Sequence, residues 1–545
     1  MTTYPYTDDP DPDRVKTLLY DTMPPRYAAD NAARWADMGF GGFIRPDVMK
    51  GWETDVWPEN GSRVIGDNNS SLRMWREVNR ALSRAGLTDN FMSVAFSKRL
   101  PDWFDDEAWS VVVENFRQGA RFAKKAGFAG VALDDEYIEE MWGLYWEPYL
   151  RPGYPRERLA EQARLRGRQI QQAMLSEFPE MVNMRLPEGY SIHGELSRQM
   201  FLGALEVLSE KDAPGGMHIL TESTYLQTSP DLMVARYCYG LDQILLHELP
   251  GDIAEYWKRR CSIAPGLAPL GYLRPIRDPS GKRIGFGGRR EIFGDRPIEP
   301  GEDKSGNYPP ETFQAVYSAA RMTSRRYVWI YSSGPSWYRM SDEEYERYGG
   351  HWTQKVALAQ NFEEYVKVVR EPKIIATPEF NAIHRAALRH ESIDVLGGLG
   401  FPPHWWVIGP YPNAEGTGYD QVFPPELGFD PEAISDGPYG PARWRRVDTP
   451  PTGYMDLSRL IAGGVEILGY AATFVYTPRE TRAVVRFGCD DTGKIWLNGS
   501  LIWVTNTERR AMPDEDLIPV RLPTGPSTML VKVGNYRGGW GFYLR

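Results

Sequence analysis

Three acids stand in a row at Asp134-Asp135-Glu136, directly after the apolar run Phe128–Leu133. Asp21 closes the run Val15–Tyr20 in the same way, and Glu222 lies just beyond Met217–Leu220. Crowding ionised carboxylates raises the pKa of at least one of them. A raised pKa is what a general acid needs near neutral pH. One carboxyl that donates a proton and one that attacks or activates water make up the machinery that cuts a glycosidic bond. Asp134, Glu136 and Glu222, with Asp21 beside them, are the candidates for those two roles. A lone acid at a strand end is more often a salt-bridge partner or a loop cap. Arg45, Lys98, Arg99, Arg185, Arg274 and Arg277 sit at comparable positions to serve as such partners. Several acids converging on one place weaken that bland alternative.

The elements that must bring these acids together are legible as a repeat. From about Arg14 to Pro372, short apolar runs alternate with longer helix-period segments. The runs are Val15–Tyr20, Phe40–Ile44, Phe91–Phe96, Phe128–Leu133, Met181–Leu186, Met217–Leu220, Ile263–Leu273 and Tyr327–Tyr331. Eight strand–helix units predict a (β/α)8 TIM barrel, whose chemistry sits where strands end and the following loops begin. An open doubly wound sheet is the alternative, but no run is followed by a Gly-x-Gly-x-x-Gly turn. Side chains alternate along a strand. With the bulkier set assigned to the helices, Asp134 and Glu136 face the axis in the fourth run. In the sixth, His218, Leu220 and Glu222 do so, and in the first, Thr17, Leu19 and Asp21. Arg45, Asp47, Lys98, Arg185, Arg274 and Asp21 could hold hydroxyls or a sugar carboxylate. Tyr225, Trp142 and Trp337 could stack on a pyranose, which presents an apolar C–H face to a flat ring. Each of these rings is otherwise packing. Long loops over the barrel face favour a pocket and exo action.

After Pro372 the helical period stops and short alternating runs are separated by Pro, Gly, Asn and Asp. This predicts an all-β sandwich. The expected division is a barrel over 1–375, a linker or first strand over 376–400, and the sandwich over 401–545. Asn498-Gly499 fits a two-residue type I′ hairpin.

Composition excludes several classes. Of 545 residues, 42% are hydrophobic and 25% charged, as in ordinary globular proteins. The surplus is aromatic: 13% of the chain, with 18 Trp and 30 Tyr. With 63 basic and 73 acidic residues the net charge is −10, which gives no electrostatic case for nucleic acid or an anionic membrane. Cys238, Cys261 and Cys489 are far apart, so neither a disulfide framework nor a thiolate zinc site is expected. The seven His form no His-x-His or His-Glu-x-x-His, and His218 reads as a satisfied core residue. Gly-x-Ser-x-Gly and Gly-Lys-Ser/Thr are absent. No cofactor is expected, although loop acids leave room for a structural calcium ion. The N-terminus lacks a basic segment followed by an apolar one, and no stretch of 18 apolar residues occurs. A cytoplasmic protein with a carbohydrate partner is the expectation.

Two resemblances sharpen this. Asp134 on the fourth strand and Glu222 on the sixth resemble the carboxylate layout of the α-galactosidase/α-glucosidase superfamily of TIM-barrel glycoside hydrolases, with Glu where that group usually has Asp. The resemblance implies Asp134 as nucleophile or base and Glu222 as acid/base, with Glu136 as reserve acid. Asp134-x-Glu136 matches the last part of the Asp-x-Asp-x-Glu strand of chitinases, but Ala132 replaces the earlier Asp. That layout implies Glu136 as the acid with Asp134 as its helper. Trp406-Val-Ile-Gly-Pro-Tyr-Pro-Asn413, Asp490-Asp491-Thr-Gly-Lys-Ile-Trp-Leu-Asn498-Gly499 and the run Leu522–Asn535 resemble galactose-binding-like jelly-roll modules. This implies a carbohydrate-binding or purely structural second domain. A non-catalytic carbohydrate-binding protein is the competing class.

Overall fold

Parallel strands covered by helices on their outer side are apolar along their whole length, and the runs of the first 331 residues follow that rule. The computed structural model describes residues 15–46, 48, 69–95, 100–134, 153–186, 195–225, 227, 229–233, 241–270, 274–277, 283–287, 309–331, 337–349, 362–373, 395–437, 440–450, 453–506, 509, 511, 513–536 and 539–545. The chain divides into two compact units. One comprises Met1–Leu226, Tyr237–Ala376 and Ala387–His390; the other comprises Gln227–Arg236, Thr377–Ala386 and Glu391–Arg545.

The first unit is a (β/α)8 barrel. Its strands are β1 (Lys16–Tyr20), β2 (Gly42–Arg45), β3 (Phe91–Ala95), β4 (Gly130–Asp134), β5 (Val182–Leu186), β6 (Met217–Thr221) and β7 (Ser262–Leu267). A hairpin, β8 (Arg274–Arg277) and β9 (Arg283–Gly287), precedes the last barrel strand, β10 (Tyr327–Tyr331). The closed order is β1-β10-β7-β6-β5-β4-β3-β2, and each neighbouring pair is parallel. The seventh strand thus ends at Leu267, not at Leu273 as its apolar run suggests. Pro269 and Gly271 follow, and Arg274 begins an antiparallel hairpin outside the barrel sheet.

Helices fill the gaps between strands. Asp106–Ala126 starts behind an Asp105 side chain that accepts a hydrogen bond from Ala108 N. It carries Asp106 and Glu107 in its first turn and Lys124 and Lys125 in its last. Each feature satisfies an orphan amide or complements the helix dipole. Inside the barrel, Leu18, Ile44, Phe91, Ala132, Val182, Met184, Leu220, Tyr327 and Trp329 form one buried cluster. At the end where the strands begin, the Tyr327 hydroxyl donates to Asp89 Oδ1 at 2.7 Å, and Lys16 pairs with the other carboxylate oxygen.

The second unit is an antiparallel β-sandwich. Its strands are β11 (His404–Pro412), β12 (Ile434–Gly437), β13 (Gly440–Arg443), β14 (Arg445–Asp448), β15 (Met455–Asp456), β16 (Ile467–Thr477), β17 (Thr481–Asp490), β18 (Thr492–Leu497), β19 (Ser500–Thr505), β20 (Asp516–Leu522), β21 (Gly525–Asn535) and β22 (Gly541–Leu544). One sheet runs β14-β11-β16-β21-β18-β19 and the other β15-β22-β17-β20, with β12 and β13 as a separate ribbon. Trp405, Val407, Phe487, Ile495, Val531, Trp540 and Phe542 belong to its core. At the β18–β19 hairpin, Leu497 pairs with Ser500. Asn498 and Gly499 both have positive φ, 49° and 80°, as a type I′ turn requires.

Candidate active site

Asp134 is the last residue of β4, level with Ala95 of β3 and Leu186 of β5. Val131 and Leu133 line the space against the helix Arg156–Glu177, while Ala132 belongs to the barrel interior. Alternation therefore turns Asp134 to the axis, where it is 2% exposed.

Glu222 is the first residue beyond β6, and it is partly exposed. Its Oε1 accepts a 3.0 Å hydrogen bond from the Tyr225 hydroxyl. The turn that carries both is tied to β7. The Thr224 hydroxyl bonds Gly266 O at 2.6 Å and accepts from Gly266 N at 2.9 Å, and Ala268 N donates to Tyr225 O at 3.2 Å.

Beside Glu222 the barrel mouth is aromatic. The Tyr225 and Tyr331 rings stack with centroids 4.9 Å apart and planes 10° apart. Tyr20, at the end of β1, tilts against Tyr331 at 5.5 Å. Trp329 meets Tyr225 edge-on at 5.2 Å from the buried side. Tyr20 and Tyr331 are partly exposed, whereas Tyr225 is buried. Sequence reasoning did not single out Tyr20, Trp329 or Tyr331 as site residues. The signal was present in β10, Tyr-Val-Trp-Ile-Tyr, where every second residue is aromatic and three rings share one face.

Several expected members lie elsewhere. The inward set of β1 is Leu18 and Tyr20, not Thr17 and Leu19. Thr17 bonds Tyr317 of the helix Pro310–Thr323 at 2.5 Å. The bulk rule fails there because large rings fill this side of the barrel, so bulk does not mark the outer face. Asp21 accordingly meets Tyr338, whose hydroxyl donates to Asp21 Oδ1 at 3.4 Å. Burial, reinforced by the Asp21 carboxylate, holds the Tyr338 phenol well above its ordinary pKa. Tyr338 in turn stacks on Tyr27 at 5.1 Å. Arg45 also points to the helical layer. Its guanidinium lies 5.3 Å from the Trp75 centroid and donates to Met23 O. Arg185 shares its strand face with Asn183, which accepts a hydrogen bond from Gln171 of the helix Arg156–Glu177, while Met184 and Leu186 belong to the interior cluster. Trp337 is fully buried, edge-on to Phe40 and Phe362. Asp47, Lys98, Glu136 and Trp142 lie outside the described residues, as does the Arg274 side chain. The crowded-acid expectation for Asp134-Asp135-Glu136 rests partly on those residues.

His218 packs edge-on against Tyr327 at 5.1 Å, and its Nδ1 is 2.9 Å from Ser262 Oγ. Burial pushes its pKa down to about 3, which keeps the ring neutral. Among the described residues, no group of three or more His, Cys, Asp or Glu is arranged to hold a metal ion. No helix among them is long and apolar enough to cross a membrane.

No protein-family model matches the chain, and no curated protein matches it. Among solved structures, the exo-beta-1,4-mannosidase Op5Man5 from Opitutaceae bacterium strain TAV5 is 11% identical, over 71% of this chain and 62% of its own, with a TM-score of 0.35. A glucosidase from Croceicoccus marinus is 10% identical over 96% of both chains, with a TM-score of 0.34. The old yellow enzyme homologue from Zymomonas mobilis is 12% identical, over 66% of this chain and 96% of its own, with a TM-score of 0.33. Likeness at this level assigns no activity to the chain.

Proposed function

We propose that the barrel is a glycoside hydrolase whose catalytic pair is Asp134 and Glu222. The observation that carries this reading is a pair of carboxylates at the C-terminal ends of β4 and β6, separated by a single strand. Asp134 is buried toward the axis and Glu222 is partly open to solvent beside stacked tyrosines. A buried carboxylate suits attack on the anomeric carbon or activation of water there. A carboxyl within reach of solvent suits donation to the leaving oxygen, because its proton can be replenished. The rings of Tyr20 and Tyr331 offer flat apolar surface to a pyranose. Carbohydrate is thus the substrate class, and exo action the expected mode. Asp47, Lys98, Arg274 and Trp142 keep their assignment to substrate binding from sequence alone, and Glu136 keeps its assignment as reserve acid.

The deciding experiment is hydrolysis of a panel of aryl glycosides by wild type, Asp134→Asn and Glu222→Gln. Wild type should cleave at least one member, and each variant should lose about 10²–10⁴-fold in kcat/KM. Full activity in both variants would overturn the site, and no cleavage across the panel would overturn the activity. Release of single sugars from one end of an oligosaccharide reads exo action. The anomer first formed, seen by proton NMR, separates retention from inversion.

A further inference from the structure

We propose that Tyr225 is the positioning residue for Glu222, fixing the acid/base carboxyl through its phenol. This rests on the role assigned to Glu222 above. The phenol donates to Glu222 Oε1 at 3.0 Å from only three residues along the chain. A donor holds its acceptor in place only if it is itself immobile, and Tyr225 is held from three sides. Tyr331 stacks on its ring at 4.9 Å, Trp329 closes the edge at 5.2 Å, and its carbonyl accepts from the chain just after β7. The Thr224 hydroxyl, bonded to both backbone groups of Gly266, locks the turn between them. Glu222 itself is partly exposed and on a loop, and the bond from this packed phenol restrains the rotamer of its carboxyl. The arrangement is that of a first functional group whose orientation is set by a packed neighbour.

Tyr225→Phe keeps the ring contacts and removes only the donor. A hydrogen bond to a carboxylate favours its ionised form. Its loss keeps the acid protonated to higher pH, so the alkaline limb of kcat/KM should move upward by roughly one pH unit. With orientation relaxed, kcat should fall about 10- to 100-fold with little change in KM. A merely structural tyrosine would lower the melting temperature and leave the limb in place. An unmoved limb in an active, folded variant overturns the inference while leaving the glycosidase reading intact. A second measurement needs no activity, and Tyr225→Phe serves in it only to assign the signal. In protein labelled with 13Cζ-tyrosine, the Tyr225 signal should titrate in wild type and stay flat in Glu222→Gln. A signal that is the same in both proteins overturns the pairing. Absence of glycoside cleavage with the titration present overturns only the reading on which the role rests.

Discussion

The indole of Trp257 donates a 2.7 Å hydrogen bond to Asp242 Oδ1, inside the helical layer that covers β6 and β7. Asp242 is 1% exposed, and its Oδ2 has no hydrogen-bond partner among the described residues. Burial pushes its pKa up to about 7 from the ordinary 3.8. Between those values the folded state holds a proton that the unfolded state has released. This contribution therefore lowers stability as pH rises through that window, and the full cost is present above about pH 7. Asp242→Asn keeps an oxygen for the Trp257 indole and removes the charge. At pH 8 the variant should be more stable than wild type by about 2–4 kcal/mol. The gap should close toward pH 4. Urea unfolding at both pH values checks it, and a gap independent of pH would contradict the assignment.

His218 pulls in the opposite direction. Its folded-state pKa of about 3 lies below the ordinary 6.5, so the unfolded state binds a proton first as pH falls. Stability is lost as pH drops from about 6.5 toward 3. The two slopes overlap between about pH 4 and 6.5 and partly cancel in wild type. Asp242→Asn should therefore unmask a steeper acid limb, with the melting temperature rising continuously from pH 4 to 6.5. His218→Gln in the same background should flatten it. Melting curves of the three proteins across that range decide the matter. A double variant as acid-sensitive as Asp242→Asn would show that His218 is not the group responsible.

The barrel was legible because every strand is an apolar run followed by a helix-period segment, and this pattern survives without knowledge of tertiary contacts. Side-chain direction was legible only where the two faces differ chemically. In β4, small residues alternate with Val131 and Leu133, so Asp134 could be placed on the axis side. In β1, Leu18 and Leu19 are adjacent and equally apolar, so alternation had nothing to anchor it, and Asp21 was assigned to the wrong side. The Tyr338 that receives Asp21 is more than 300 residues away in sequence. The same distance problem hid the tyrosine stack, because Tyr20, Tyr225 and Tyr331 meet only when β1, β6 and β10 close into one ring.

Trp337 tests the difference between a platform and a core ring. It is fully buried, with Phe40, Phe313 and Phe362 around it. Trp337→Ala should cost about 3–5 kcal/mol of stability, as large-to-small core changes do. At a temperature where the variant is folded, KM for glycosides should be within about twofold of wild type, since the ring presents no face to a ligand. A KM rise of tenfold or more with an unchanged melting temperature would instead make Trp337 a sugar platform.

Gly266 links packing to the candidate site. A Cβ built at this position would lie 2.4 Å from Thr221 O, 2.7 Å from Trp329 Cε2 and 2.8 Å from Trp329 Nε1. Neither partner can yield easily: one is strand backbone, and the other is a fully buried indole against Tyr225. Gly266→Ala must therefore push Trp329 toward Tyr225 or open β6 from β7. Overpacking of this kind costs about 1–3 kcal/mol. The displacement also reaches the turn that holds Glu222, because the Gly266 amide and carbonyl both bond Thr224. The expected outcome is a lower melting temperature together with at least tenfold lower kcat/KM. Gly499→Ala is the matching control. Its Cβ would meet open space, although its φ of 80° makes alanine costly. It should lose about 1 kcal/mol of stability and leave kcat/KM unchanged. Equal effects of the two variants on kcat/KM would mean that destabilisation alone, and not the contact with Trp329, accounts for the loss.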